Sequence, residues 1–182
     1  MPSACEDYIY LKNLIPVELC KSLIAECNKY EWKKHYWIPV EYGIENDIMS
    51  STKEQQDKII PYLVKALDEY QIKCSWPGDD TQPPWLTEIS PVRFDRYEVG
   101  NIQRIHYDNV RAIFDGKRKG IPIVSIVGNL NEDYEGAEFV LRGQEIKLKT
   151  GDILLFPSGI VYPHMVKETK KGVRYSFVSW AF

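Results

Sequence analysis

The second half of the chain alternates between short β-type segments and turn residues, and this pattern constrains the fold more than any other feature. Eight apolar or alternating segments follow residue 91, and Gly, Asn or Asp separates most of them. They cover residues 92–99, 102–108, 121–127, 137–141, 145–148, 153–156, 160–166 and 173–182. Closely spaced short strands of this kind are typical of a sandwich or barrel of the jelly-roll type.

The first half of the chain has helical spacing instead. Apolar residues between positions 15 and 27 recur at steps of one, three and four residues, and Pro16 suits a first helical turn. A second apolar stripe predicts a helix over about residues 51–71. Pro61 should kink that helix or move its start downstream. A short strand is expected before the first helix, over residues 8–11.

Length and composition place these elements in one globular domain with an α+β fold. The chain has 182 residues, and a domain averages about 150. Hydrophobic residues make up 44% and charged residues 27%, which excludes a mainly disordered chain. We expect residues 1–182 to form a single domain, with residues 1–90 as a helical support and residues 91–182 as the β-rich core.

The net charge limits the classes of binding partner, and the cysteine content bears on the cellular compartment. The formal net charge is −3, which argues against a nucleic-acid binder that works by neutralising phosphates. The sequence has no signal-peptide pattern and no membrane-spanning apolar stretch, so we expect a cytoplasmic protein. None of the four cysteines forms a Cys-x-x-Cys pair, and we interpret them as reduced, buried thiols.

Two histidines and an aspartate are the candidate chemical centre. His106 and Asp108 are two residues apart in a predicted strand, so their side chains should share a face, together with that of Arg104. His164, on another strand, can supply a second imidazole. Two histidines and one carboxylate leave open positions on a metal, as in non-haem Fe(II) oxygenases. The alternative to a metal site is a structural histidine paired with a carboxylate. The third histidine, His35, is expected to lie at the surface.

An arginine is predicted close to this cluster. If residues 164–174 form a hairpin centred on Thr169, His164 lies directly opposite Arg174. Strand alternation turns Arg174 inward with Ser176, and a buried arginine needs an anionic partner. A dicarboxylate could bind the metal at one end and Arg174 at the other, accepting a hydrogen bond from Ser176. The alternative partner is a structural Asp or Glu.

These residues, in this order, resemble the 2-oxoglutarate- and Fe(II)-dependent dioxygenases, and in particular their prolyl 4-hydroxylase-like branch. Four further segments are similar to motifs of that branch: 96–100 to Tyr-x-x-Gly, 133–139 to Tyr-x-Gly-Gly-Glu, 151–157 to the strand before the second histidine, and 174–180 to the closing strand. Ala137 replaces the second glycine of Tyr-x-Gly-Gly-Glu. The resemblance covers most of residues 8–182.

The resemblance implies a double-stranded β-helix, a jelly-roll of the cupin type, and a hydroxylation reaction. His106, Asp108 and His164 would hold Fe(II). The cosubstrate 2-oxoglutarate would bind Arg174, Ser176 and Tyr97, and it would be converted with O₂ to succinate and CO₂, with ascorbate as reductant.

The implied substrate is a prolyl residue of a peptide or protein. Prolyl 4-hydroxylases commonly have lysine where this chain has Arg174, so a free amino acid or another small molecule is the alternative substrate. A non-enzymatic jelly-roll that binds a metal or a sugar is the alternative class. Substrate selection is expected in the loops 36–50, 74–86 and 109–120, and the basic tip 117–119 is either a solvated turn or a grip for an acidic substrate.

Overall fold

The computed structural model describes residues 8–36, 44–74, 86, 88–108 and 122–182. These residues contain the helices α1 (Val17–Cys27) and α2 (Lys53–Cys74). The strands are β1 (Ile9–Leu11), β2 (Lys33–Tyr36), β3 (Ile44–Ser50), β4 (Arg93–Tyr97), β5 (Gln103–His106), β6 (Val124–Asn129), β7 (Tyr134–Gly136), β8 (Phe139–Leu141), β9 (Gln144–Ile146), β10 (Ile153–Pro157), β11 (His164–Val166), β12 (Thr169–Gly172) and β13 (Arg174–Ala181).

Both helices are amphipathic, and the residues at their N-terminal ends explain where they begin. Pro16 precedes α1 in an extended conformation. At the start of α2, the side-chain oxygen of Gln55 accepts a hydrogen bond from the backbone N–H of Thr52, and the Thr52 hydroxyl accepts one from the N–H of Gln55. This reciprocal pair satisfies amides that have no partner inside the helix. The helix therefore begins at Lys53 and contains Pro61, so of the two alternatives expected for Pro61 the downstream start is wrong.

The strands form two main antiparallel sheets. The large sheet has seven strands in the order β1-β10-β6-β13-β4-β3-β2, and the small sheet has four in the order β5-β11-β8-β9. Strands β12 and β7 form a separate pair. Neither described helix combines the length and the apolar character needed to cross a membrane.

The central strands of the large sheet are buried on both faces because their side chains alternate between two cores. In β10, Ile153 and Leu155 pack in the cluster that contains the buried residues of both helices. Leu154 and Phe156 pack instead with small-sheet residues such as Phe139. One face of the large sheet is therefore covered by helices and the other by the small sheet, which creates an enclosed space between the sheets.

One glycine permits the close packing of the large sheet. Gly128 in β6 lies directly opposite Phe177 in β13. A Cβ atom at position 128 would lie 2.1 Å from the Phe177 ring, so any larger residue would displace that ring. The glycine interrupts an apolar run, and in the fold it makes room for an aromatic side chain.

The strands of the first half, apart from β1, are not apparent from the sequence. Strand β3 is rich in polar residues, and Glu45, Asn46 and Asp47 are nevertheless buried in it. Their burial is compensated by partners on neighbouring strands: Arg96 donates to Asp47 at 2.6 Å, and the Asn46 amide donates to Asp95 at 2.9 Å. A strand stabilised by such long-range polar contacts has no apolar pattern to reveal it.

Candidate active site

The two predicted histidines and the aspartate converge between the two sheets. His106 and His164 pair directly across β5 and β11, and their ring centroids are 4.3 Å apart. Oδ1 of Asp108 lies 3.6 Å from Nε2 of His106 and 3.7 Å from Nε2 of His164. One potential ligand atom from each residue lies within 4.8 Å of the other two. The cluster has the composition and spacing of a metal site.

Backbone carbonyls orient both imidazole rings. Nδ1 of His106 lies 2.7 Å from the carbonyl oxygen of Arg104, and Nδ1 of His164 lies 3.1 Å from that of Tyr162. A hydrogen on each Nδ1 can donate to these carbonyls, which leaves each Nε2 with a lone pair for a metal bound beside Asp108. This is the usual way in which proteins fix the tautomer of a metal-binding histidine.

The site favours the neutral imidazole of His106. Burial lowers the pKa of His106, the neighbouring His164 lowers it further, and Asp108 opposes the shift. The aromatic rings of Phe139 and Phe156 pack against His164, with centroids 5.6 and 4.9 Å away. A neutral imidazole is the form that binds a metal, so no proton has to be removed from His106 at neutral pH.

A β-bulge changes which side chains of β5 face the cluster. His164 pairs with His106, but Val166 pairs with Gln103, so β5 contains one extra residue over this stretch. Gln103 therefore lines the cavity together with His106 and Asp108. The prediction that Arg104 shares their face is wrong, because a bulge breaks the alternation of side chains along a strand. Arg104 lies beside Glu45 instead, with Nε 3.8 Å from Oε1.

The predicted hairpin between His164 and Arg174 does not form. His164 pairs with His106 and Leu141 in the small sheet, whereas Arg174 pairs with Tyr97 in the large sheet. Between them, β12 leaves to pair with β7. His164 and Arg174 nevertheless line one cavity, because they face each other across the space between the sheets.

Arg174 is buried without a carboxylate partner. The residue is 1% exposed, and its Nε donates to the side-chain oxygen of Asn129 at 3.1 Å. Its guanidinium carbon lies 5.4 Å from the centre of the Tyr97 ring, and its buried Nη1 has no hydrogen-bond partner. No described Asp or Glu forms an ion pair with it, so the structural carboxylate considered as an alternative is absent from this part of the chain. A buried cation of this kind is suited to an anionic ligand.

Tyr97 and Ser176 line the same cavity, as predicted for residues that contact a cosubstrate. The Tyr97 hydroxyl donates to the side-chain oxygen of Gln103 at 3.0 Å. Burial raises the Tyr97 pKa, and the nearby Asp95 raises it further, so this hydroxyl stays protonated. Val178 and Trp180 also line the cavity, which confirms the predicted inward face of β13.

A sequence profile of the 2OG-Fe(II) oxygenase superfamily matches residues 92–182. The chain belongs to this superfamily. It is 36% identical over 179 residues to a PKHD-type hydroxylase of Aliarcobacter butzleri, a match that covers 91% of this chain and 76% of the relative. A PKHD-type hydroxylase of Acinetobacter baumannii strain SDF is 28% identical over 174 residues, covering 91% of this chain and 75% of the relative. The match to a PKHD-type hydroxylase of Delftia acidovorans has 31% identity, and it covers 51% of this chain and 43% of the relative.

Solved structures of this superfamily confirm the predicted double-stranded β-helix. A prolyl-4-hydroxylase of Pseudomonas putida aligns with a TM-score of 0.70 and 22% identity, covering 96% of this chain and 91% of that one. The viral collagen prolyl hydroxylase of Paramecium Bursaria Chlorella virus-1 aligns with a TM-score of 0.68 and 18% identity, covering 97% and 95%. These likenesses establish the fold.

Membership of the 2OG-Fe(II) oxygenases makes this protein an Fe(II)- and 2-oxoglutarate-dependent dioxygenase, and the side chains of the cavity suit both groups chemically. Two imidazole nitrogens and a carboxylate oxygen are the donor set of non-haem Fe(II) sites. The partnerless Nη1 of Arg174 fits a carboxylate of 2-oxoglutarate, since a buried N–H group needs an acceptor.

Several residues of the site were not predicted as functional residues. Gln103 lines the cavity because of the bulge in β5. Asn129 accepts a hydrogen bond from Arg174, and Ser125 donates one to Asp108. Asn129 follows Gly128 and has the sequence signal of a turn, and Ser125 is one residue of an otherwise apolar strand. His35 lies outside the cluster, in β2, where it is partly buried rather than fully at the surface as expected, with Nδ1 3.2 Å from the side-chain oxygen of Asn46.

Much of the loop sequence expected to select the substrate lies outside the described residues. This applies to 37–43, 75–85 and 109–121, and it includes the basic tip 117–119.

Proposed function

We propose that this dioxygenase hydroxylates an unactivated C–H bond of a prolyl residue in a peptide or protein. The observation that carries the proposal is that one cavity is lined both by the His106, Asp108 and His164 cluster and by the unpaired Arg174. A ligand with a chelating end and a carboxylate end can satisfy both parts of this cavity. A metal and a keto diacid held together in an enclosed site can supply, with O₂, the oxidation of a C–H bond that no ordinary side chain performs.

In this proposal the side chains hold and orient the reactants. Nε2 of His106, Nε2 of His164 and Oδ1 of Asp108 bind Fe(II), and bound Fe(II) with 2-oxoglutarate supplies the O₂-dependent oxidation that no side chain can perform. Arg174 binds the distal carboxylate of 2-oxoglutarate through charge-assisted hydrogen bonds.

Neighbouring residues complete the cosubstrate pocket. Ser176 would add a hydroxyl contact to 2-oxoglutarate, and Tyr97 would add another if its hydroxyl turned from Gln103 to the ligand. Apolar walls such as Val127, Phe139 and Val178 exclude water, which strengthens the contacts of Arg174 because the local dielectric constant is low.

The prolyl substrate is supported by the relatives and neighbours. The relatives are PKHD-type hydroxylases, and the structural neighbours include prolyl hydroxylases. Another is a Trichoplax adhaerens prolyl hydroxylase in complex with a peptide fragment of hypoxia inducible factor, with a TM-score of 0.68, 17% identity and coverage of 97% of this chain and 83% of that one. Hydroxylation of a free amino acid is the second candidate, favoured by an arginine at position 174 where prolyl 4-hydroxylases commonly have lysine.

Further parts of the proposal concern the reductant, the cellular compartment and the domain organisation. We propose ascorbate as the reductant that keeps the iron ferrous. The free, buried thiols of Cys20 and Cys27 support a cytoplasmic location, since reduced cysteines are typical of that compartment. We also propose that residues 1–182 act as one domain, in which residues 1–90 support the core formed by residues 91–182.

The test is turnover of 2-oxoglutarate with Fe(II), ascorbate and O₂ in the presence of proline-containing peptides. We expect succinate release together with one added oxygen atom on peptidyl proline, detected by mass spectrometry. Hydroxylated free amino acids without peptide products would favour the second candidate. No succinate with any substrate would point to a non-enzymatic binding module.

His164→Ala is the control for this experiment. It should abolish succinate release and Fe(II) binding, and it should leave the circular-dichroism spectrum and thermal midpoint close to those of the original protein. A variant that does not fold would indicate a structural role for His164, contrary to the proposal.

A further inference from the structure

Two buried serines form a chain of hydrogen bonds that ends at the carboxylate of Asp108. The Ser125 hydroxyl donates to Oδ2 of Asp108 at 2.5 Å, and the hydroxyl oxygens of Ser125 and Ser158 lie 2.8 Å apart. Ser125 belongs to β6, and Ser158 follows β10 directly. Both serines are buried, so water does not compete for these hydrogen bonds.

The direction of this chain of hydrogen bonds follows from the chemistry of the Asp108 carboxylate, at which the chain ends. An ionised carboxylate can only accept, so the Ser125 proton is committed to Asp108. The oxygen of Ser125 is then free to accept, which makes Ser158 the donor. The order is Ser158 to Ser125 to Asp108, and hydrogen bonds in such a chain polarise and strengthen one another.

The two oxygens of Asp108 therefore have different surroundings. Oδ2 accepts the hydrogen bond from Ser125, whereas Oδ1 lies within 3.7 Å of Nε2 of both His106 and His164. Strand β5 ends at His106, so no strand ladder fixes the backbone of Asp108. The hydrogen bond from Ser125 joins this residue to the large sheet.

We infer that Ser125, oriented by Ser158, is a positioning residue that makes Asp108 a metal ligand through Oδ1 alone. This inference rests on the proposed role of Asp108 as a ligand. A carboxylate that bound through both oxygens would occupy a further coordination position. The two-histidine, one-carboxylate arrangement works by leaving positions open for cosubstrate and O₂, so a single-oxygen ligand preserves its function.

Fe(II) affinity measured by anaerobic isothermal titration tests this role without relying on turnover. Ser125→Ala should weaken Fe(II) binding by about 10- to 100-fold, the usual effect of losing a group that orients a metal ligand. Ser158→Ala should weaken it less, because Ser125 can still donate to Asp108. Ser125→Thr keeps the hydroxyl on a strand-compatible side chain and should restore most of the affinity.

The matched control is Ser179→Ala. Ser179 is an equally buried serine of β13 that donates to the carbonyl of Ser90, and it does not touch the cluster. Its loss should leave Fe(II) affinity unchanged, whatever it does to stability. Should Ser125→Ala not fold, Ser158→Ala still decides the outcome: weaker Fe(II) binding than in the original protein supports the inference, and unchanged binding overturns it.

Crystal structures of the Mn(II)-loaded protein test the binding mode directly. We expect Asp108 to bind through one oxygen in the original protein and through both in Ser125→Ala. Unchanged Fe(II) affinity in Ser125→Ala, or two-oxygen binding in the original protein, would overturn the inference. If His164→Ala also binds Fe(II) normally, the proposed metal site itself is wrong. If His164→Ala loses Fe(II) while Ser125→Ala keeps it, only the role of the serine is wrong.

Discussion

The large and small sheets contribute different parts of the site, and they differ in how completely they are buried. Strand β6 of the large sheet is buried along its whole length, between the helices on one face and the small sheet on the other. The small sheet has an outer face open to solvent, where Ile105 is 67% exposed. The imidazoles belong to the small sheet, whereas Arg174, Tyr97 and the serine pair belong to the large sheet or follow directly from it.

This division shows how a fold can separate stability from chemistry. A sheet buried on both faces supplies rigid supports, namely a fixed guanidinium and a fixed hydroxyl that contacts Asp108. The small sheet brings reactive imidazoles to those supports across a narrow space. Substitutions in the metal cluster should therefore affect binding more than folding, and substitutions in the packed strands of the large sheet should do the reverse.

Arg174→Met tests whether the large sheet holds a functional cation that folding does not require. We expect the affinity for 2-oxoglutarate to fall by about 30-fold or more, since truncating one partner of a buried charge pair costs about 2 kcal/mol or more. Fe(II) affinity should not change. The metal-free variant should be no less stable, because a buried arginine without a carboxylate partner is costly. Calorimetry with Mn(II) and 2-oxoglutarate, and urea unfolding, measure these effects.

Arg142→Met is the control for this prediction. Arg142 is an exposed arginine after β8, and its guanidinium lies over the ring of Tyr162. Its replacement should leave 2-oxoglutarate affinity unchanged. A strong loss of stability in Arg174→Met with normal 2-oxoglutarate affinity would mean that Arg174 is a structural residue.

A pair of glycine substitutions compares the packing of the two sheets. Gly128→Ala places a Cβ 2.1 Å from the Phe177 ring and should lower the free energy of unfolding by about 3 kcal/mol, at the upper end for overpacking. Gly143, between β8 and β9, has a φ of +80° with open space around it. Gly143→Ala should cost only about 1 kcal/mol, the strain of an alanine in the left-handed region. Equal losses in urea unfolding would contradict the proposed difference between the sheets.

The thiols behind the large sheet contribute to stability through their titration. Burial raises the pKa of Cys20 to about 11 and that of Cys27 to about 12. In the unfolded chain thiols ionise near about 8.5, so stability is fully present below that pH and declines as pH rises toward 11. In a Cys5→Ser/Cys74→Ser background, neither thiol should react with iodoacetamide at pH 8 unless urea is added.

The same cysteines offer a matched comparison of stability against pH. Cys20→Ala/Cys27→Ala should show a smaller fall in the free energy of unfolding between pH 8 and pH 10 than the chain that retains both thiols. Rapid alkylation of the folded protein would show that the layer between the helices and the large sheet opens readily.

Elements defined by local patterns could be predicted from the sequence. Both helices, β1 and the strands that line the cavity follow from apolar spacing and turn residues. Strand β3 could not be predicted in this way, because Glu45, Asn46 and Asp47 are stabilised by partners distant in sequence. The motif order around His106, His164 and Arg174 pointed to the correct superfamily even though the expected hairpin was wrong.

The sequence by itself determined which side chains were available to the site and which face of β13 would turn inward, because alternation along a strand is a local property. Only the tertiary structure decided that Arg174 faces His164 across a cavity, that Gln103 replaces Arg104 beside the cluster, and that Ser125 contacts Asp108. Strand partners and bulges depend on how whole sheet faces are buried against each other. The free energy of this burial comes from contacts between residues far apart in the chain, so no short segment of the sequence predicts it.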